Sequence, residues 1–189
     1  MNLQIKKGVI SCCLLLIASS LIAQDKYFTK SGSISFVSKG VIETITASHR
    51  SVTCVLDSKT GVIQFAVLMK GFEFKKALMQ EHFNENYVES DKFPKAEFRG
   101  QITNNNEIAY TKDGSYNAHV KGKLTLHGQT KDVEADGKVA VKAGKLTLTS
   151  KFNILMSEYN IDIPGPVQEN MSDNISITVN CSLEPLKSE

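Results

Sequence analysis

Apolar and polar residues alternate one for one along most of the chain. Ile34 and Phe36 alternate with Ser33 and Ser35, and Val52, Cys54 and Leu56 alternate with Ser51 and Thr53. Ile63, Phe65, Val67 and Met69 share one face, and after Pro94 so do Ala96, Phe98 and Ile102. Tyr116, Ala118, Val120, Leu124 and Leu126 oppose Asn117, His119, Lys121, Lys123 and Thr125. Val133, Val139 and Val141 follow, with Gly137 at a point where a strand is expected to bend or bulge. Leu146, Leu148, Phe152, Ile154 and Met156 form the next set, and Ile175, Ile177, Val179, Cys181 and Leu183 the last. Successive side chains of a strand point to opposite sides, so this period predicts strands that are buried on one face only. "DSKTG" at 57–61, "NNN" at 104–106 and "KAGK" at 142–145 are turn signals between them. About eight to ten such strands with short connections build an antiparallel sandwich or a closed barrel rather than a parallel sheet.

One stretch breaks the alternation. In "KKALMQEHFNENYVESDKFPKAEFRG" (75–100), Leu78, Phe83 and Tyr87, together with Phe74, make a roughly helical apolar stripe. Lys, Ala, Leu, Met, Gln and Glu favour a helix, and Asp91 and Pro94 end it. The spacing predicts one helix over about 74–88, placed between strands where it would close the end of a barrel and bury Leu78 and Phe83.

At the other extreme, Lys6 and Lys7 precede an apolar run at 8–22, followed by Ala23 and polar sequence. A charged start and a short apolar segment describe a secretory leader, too short for a spanning helix. Cleavage is expected after Ala23, or alternatively after Ser20. Cys12 superficially fits a lipid-acylation site, but the apolar run lies after it and too few uncharged residues separate it from Lys7. Residues 1–23 are therefore read as a leader and 24–189 as one domain, exported to the periplasm or secreted, with no further transmembrane segment. The leader carries two lysines and no acids, so its removal brings 22 Lys+Arg down to equality with 20 Asp+Glu. A neutral chain with interspersed charges offers no electrostatic footprint for nucleic acid. Cys54 and Cys181 are the cysteines that remain; both lie on apolar faces, where buried thiols are expected, although export leaves a disulfide open.

His82 is surrounded in sequence by Glu81, Glu85, Glu89 and Asp91, which raises the question of a metal or acid–base site. No second histidine lies at helical spacing, and no cysteine pair is spaced for zinc. His119 and His127, read on one strand face, are eight residues apart, about 26 Å at strand rise. No Gly-x-Ser-x-Gly elbow and no phosphate-binding glycine loop is present. The expectation is no metal, no cofactor and no catalytic residue, with the acids on the solvated side of the helix and His82 on the helix surface, bonded to a neighbour. Whether the apolar faces enclose a filled core or a cavity stays open, although the absence of Trp and the small Val, Ala, Ser150 and Gly set leave room.

Two stretches go further. "LMQEHFNENYVESDKFPKAEFRG" (78–100) carries His82-Phe83, then Phe93-Pro94, then a strand ending in Phe98; "GKLTLHGQTKDV" (122–133) carries Gly122, Leu124, Leu126, His127, Gly128, Thr130 and Lys131. Together they resemble the YceI-like family of bacterial exported proteins, and "KFNILMSEYNIDIP" (151–164) resembles the family's penultimate strand region. The likeness spans about 27–184. "SISFVSKGVIETITASHRSVTCVLD" (33–57) departs from the His-containing, glycine-punctuated first strand pair of the better-studied members, which bears on pocket shape more than on fold.

The resemblance implies an all-β, antiparallel, eight-stranded lipocalin-like barrel with one capping helix. It further implies a non-enzymatic protein that binds, sequesters or transports an isoprenoid-like or other fatty lipid in its interior. The residues implied to contact the chain are Phe36, Phe65, Val67, Met69, Phe98, Leu124, Leu126, Leu148, Phe152, Ile154, Ile177 and Val179 on the strands and Phe83 on the cap. A homodimer is left open, and no nucleic acid partner is expected. The alternative is a ligand-free β module of the cell envelope that binds a protein or a glycan. Two substitutions test the cap reading: Phe83→Asp is expected to destabilise the fold or loosen ligand retention, and elemental analysis is expected to find no stoichiometric metal in either wild type or His82→Ala.

Overall fold

The structure, a computed structural model, describes residues 25–163, 165 and 171–186. The expected leader at 1–23 and most of the loop from Pro164 towards Asp173 lie outside them. The described strands are β1 (Lys26–Lys39), β2 (Thr44–Asp57), β3 (Val62–Leu68), β4 (Glu73–Phe74), β5 (Lys95–Ile102), β6 (Gly114–Leu126), β7 (Gln129–Lys142), β8 (Lys145–Leu155) and β9 (Asn174–Pro185). They pair antiparallel in the order β1-β9-β8-β7-β6-β5-β3-β2, and β1 also pairs with β2. The sheet therefore closes on itself as an eight-stranded barrel, with the two-residue β4 added beside β2.

Local chemistry sets the hairpins. His127-Gly128 and Ala143-Gly144 all have positive φ, from 50° to 75°, and each pair forms a two-residue loop between Leu126↔Gln129 and Lys142↔Lys145. Two left-handed residues give a turn whose twist matches that of the flanking strands. Between β1 and β2 the register shifts twice, from Thr29↔Cys54 to Gly32↔Val52 and on to Ile34↔His49. The first shift inserts an extra residue in β1 and the second one in β2, so both strands bulge. Lys30 and Ser31 both face out, as do Arg50 and Ser51. The buried His49 braces the second bulge: its Nε2–H donates to the Leu68 carbonyl at 3.1 Å, and Nδ1 accepts the Ser51 N–H at 3.0 Å.

The two ends of the barrel differ. At one end Leu56, Ile102, Leu146, Leu183, Cys54 and Cys181 pack into a closed cluster, with Leu56, Leu146 and Leu183 wholly buried. The segment after β5 folds across this end and adds Ile108 and Tyr110. The "NNN" triplet wires it down. Asn104 accepts the His119 N–H and donates to the Asn117 carbonyl, while Asn105 donates to the Ser58 carbonyl and accepts the Tyr110 hydroxyl. Burial, reinforced by the nearby Tyr27, pushes the Tyr110 phenol well above its ordinary range. Cys54 and Cys181 are free thiols within this cluster. Their mutual hydrogen bond and burial hold Cys54 protonated.

The one α-helix among the described residues, α1 (Ala77–His82), continues into a wider π-helical turn at Phe83–Tyr87 and closes the opposite end. It is shorter than the predicted 74–88, because Phe74 belongs to β4 and Glu89 turns the chain with φ 44°. Leu78 was expected to be buried and is instead 61% exposed. The inward stripe runs through Met79, Phe83 and Tyr87, four residues apart, and places Leu78 at its margin. Gly137 does not mark a bulge either. Its register with β6 runs without a shift through Ala118, the ladder to β8 ends at its pair with Ser150, and a Cβ there would stand 2.6 Å from the Thr149 carbonyl oxygen, so the glycine permits close strand approach. His119 and His127 do not share a strand face, because β6 ends at Leu126 and His127 is the first turn residue.

The packed end carries a test. Leu183→Ala is expected to lower unfolding free energy by about 2–5 kcal/mol, read as a reduced urea midpoint at unchanged slope.

Candidate functional site

Between the packed end and α1 the barrel encloses a cavity of about 450 Å³, within the roughly 300–1,000 Å³ range of ligand pockets. It exists because the inward positions are short for this circumference. Ala96, Ala118, Ala135, Gly137 and Ser150 line it alongside larger side chains. All thirteen residues named from the sequence border it: Phe36, Phe65, Val67, Met69, Phe83, Phe98, Leu124, Leu126, Leu148, Phe152, Ile154, Ile177 and Val179. Alternation had put twelve of them on common strand faces and the helical stripe had put Phe83 on the cap; closure of the sheet turns those faces into one wall.

Other lining residues were not singled out. Ile45 precedes the β2 bulge, so its face cannot be read by extending the alternation of Val52, Cys54 and Leu56. Phe72, Val88, Ile161 and Met171 come from loops and turns that carry no period. Phe72 and Phe74, spaced by Glu73, were the available signal, a short alternation just before the helix.

An aromatic cluster seats the cap. Phe83 packs against Phe74, Phe72 and Phe36 with ring centroids at 5.0, 5.6 and 5.7 Å, and Phe36 also meets Phe72 at 5.3 Å. Such pairs each add about 0.5–1.5 kcal/mol beyond the burial of area, so Phe83 holds the helix to the barrel rim. Lys76 ties the start of α1 to Glu43 on the turn between β1 and β2, 2.8 Å apart. Glu43, Lys76, Leu78 and His82 rim the opening here. The His82 ring is exposed and, among the described residues, lacks the expected hydrogen bond to a neighbour.

The two sequence stretches that single out the chain meet behind the cap. The His127 side chain is 10% exposed; Nδ1–H donates to the Tyr159 carbonyl at 3.0 Å, and Nε2 lies 2.8 Å from the Glu89 carboxylate. Phe93 stands edge-on to the imidazole at 4.5 Å and leaves no room for a Cβ at Gly128. One turn thus clamps the segment after α1 and the turn after β8. Burial, then the Glu158 charge, push the Tyr159 phenol up to about 12.

The outer wall is polar. His119, Lys121 and Lys123 on β6 pair directly across the strands with Asp136, Glu134 and Asp132 on β7, at 2.6–2.8 Å. Apolar residues inside and charges outside invert the arrangement of a membrane-spanning barrel. No helix among the described residues is long and apolar enough to cross a membrane. Among them, too, no cluster of three or more His, Cys, Asp or Glu could hold a metal ion.

The structure is similar to a polyisoprenoid-binding domain from Saccharophagus degradans implicated in plant cell wall breakdown, with TM-score 0.75 at 10% identity, covering 86% of this chain and 99% of that one. It is also similar to BcnA of Burkholderia cenocepacia, with TM-score 0.65 at 18% identity over 80% of this chain and 95% of that one. The YCEI protein of Campylobacter jejuni follows at 0.58 and 15%, over 75% and 85%. A search of curated protein sequences finds no match. The YceI-like domain matches residues 27–183, from the second residue of β1 almost to the end of β9, and the chain therefore belongs to the YceI-like family.

Proposed function

We propose that the protein binds an isoprenoid-like or other long-chain lipid inside its barrel and sequesters or carries it without transforming it. The apolar cavity of about 450 Å³ beneath the α1 cap is the observation that carries this reading. Each CH₂ moved from water into such a wall contributes about 0.8 kcal/mol, so a chain needs no specific chemistry to be held. Phe83 and the helix that it anchors then regulate access. The similarity to a domain described as polyisoprenoid-binding supports the ligand class, while fold alone does not name the ligand. Most of the lining residues are apolar, an arrangement that favours holding a chain over catalysis. The charged start and apolar run at 1–23 support action outside the cytoplasm, in the periplasm or beyond.

The test is direct. The protein is expressed with its own leader, purified, extracted with organic solvent and analysed by mass spectrometry. A stoichiometric isoprenoid or fatty lipid is expected. Ala135→Phe, which projects a ring into the cavity, is expected to reduce the lipid recovered while the far-UV spectrum is retained. If nothing is extracted and added isoprenoid and fatty-acid probes do not bind, the interaction-module reading replaces this one.

A further inference from the structure

The ring of strands is not zipped along its whole length. β7 pairs with β8 only from Gly137↔Ser150 to Lys142↔Lys145. From Gln129 to Asp136, β7 is hydrogen-bonded as a ladder to β6 alone, and from Lys151 to Leu155, β8 is bonded to β9 alone. The two strands part towards the capped end and leave a split in the wall. The turn at Met156–Tyr159 lies over its upper part, held there by the bond from His127 to the Tyr159 carbonyl. The foot is different. There Gly137 contributes no side chain, and the link across the gap is a single side-chain bond, from the Ser150 hydroxyl of β8 to the Asp136 carbonyl of β7 at 2.7 Å.

At that foot the barrel wall is thin, and the same residues face both sides of it. Ala118, Gly137, Lys138, Thr149, Ser150 and Val179 border both the inner cavity and a groove on the outer wall. The groove continues over outward residues of the neighbouring strands, Asn117 and His119 on β6 and Thr178 and Asn180 on β9. Two cations overlook it. Lys138 stands opposite Thr149, and Lys151 is the next outward residue on β8. Such diagonal neighbours are about 7–8 Å apart at the backbone, within reach of long side chains. Both lysines are exposed, and neither has an ion-pair partner among the described residues. Their neighbours do: Lys121 and Lys123 are matched by Glu134 and Asp132, and Asp136 is engaged by His119.

We propose that the foot of the β7–β8 split is a lateral port: the chain of an amphiphile lies in the cavity, and its anionic head, a carboxylate or a phosphate, passes between the strands to rest against Lys138 and Lys151. This deepens the lipid-binding reading and rests on it. The chain is selected by apolar burial, which any long tail satisfies. The head is selected by two unmatched cations and the hydroxyls and amides around them, which a neutral head engages far less.

Three fluorescent probes that share one chain and differ in the head, alcohol, carboxylate or phosphate monoester, separate these contributions in titrations of wild type and Lys138→Gln/Lys151→Gln. Wild type is expected to hold both anionic probes more tightly than the alcohol, with a preference that shrinks as salt is raised. The double variant is expected to lose about three- to tenfold affinity for the anionic probes and none for the alcohol. A carboxylate loss without a phosphate loss, or the reverse, identifies which head the port takes. Equal losses for all three probes, or none, overturn the port. A nitroxide placed beside the head then reports its position. It is expected to quench a fluorophore at Asn117→Cys, on the groove, more strongly than one at Leu78→Cys, at the cap; the reverse order also overturns the port. If wild type binds none of the probes, the lipid-binding reading itself falls and the port falls with it.

Discussion

β1 is hydrogen-bonded along both of its edges, to β2 from Lys26↔Asp57 to Lys39↔Thr44 and to β9 from Tyr27↔Pro185 to Ser38↔Ile175. That double pairing turns a meander into a ring. An open sheet with one apolar face must cover that face with another layer, whereas a closed one covers it with itself. Closure also sets the circumference, and with eight strands the interior is just wide enough that side-chain size decides between a filled core and a chamber. Both outcomes occur in this molecule. Leu56, Leu146, Leu183 and Ile102 fill one end, and the alanines, Gly137 and Ser150 leave the other hollow.

Closure requires bending, and the cost of bending falls on β1 and β2. An extra residue in each, at Lys30-Ser31 and at Arg50-Ser51, lets these strands coil while keeping their apolar faces inward on either side of the irregularity. His49 is buried because it satisfies the backbone freed at the second bulge, so its role is structural. His127 does comparable work at the other end of the molecule, where it joins three chain segments that have no regular pairing of their own. Histidine suits both places because its two ring nitrogens can serve two directions at once.

In a hollow barrel with a polar exterior, access to the interior depends on the openings more than on the wall. The cap is fastened by aromatic packing around Phe83, with no backbone ladder beyond the two-residue β4. An element held in this way opens more readily than a strand. β7 and β8 part towards the capped end, and the ion pairs from β6 to β7 keep the loosened strand in line while giving its free edge a charged character that discourages edge-to-edge association.

The sequence by itself determined the fold class, the turn at 142–145, the existence of one interrupting helix and the inward residues of the strands and Phe83 on the cap, because strand alternation and a helical stripe are local. Its errors fell where local rules stop applying. Alternation cannot be carried through a bulge, since one added residue exchanges the two faces; this hid the alignment of Ile45, Ala47 and His49 with Val52, Cys54 and Leu56. The apolar stripe of the helix included Leu78, but the inward side runs instead through the half-buried Met79, Phe83 and Tyr87, four residues apart. Gly137 read as a bend or a bulge; its unshifted register with β6 excludes the bulge, and its neighbours show that it permits close approach at the foot of a split. Whether the interior is hollow, where its wall parts and which lysines lack partners depend on distances between strands far apart in sequence, and those were decided by the tertiary structure alone.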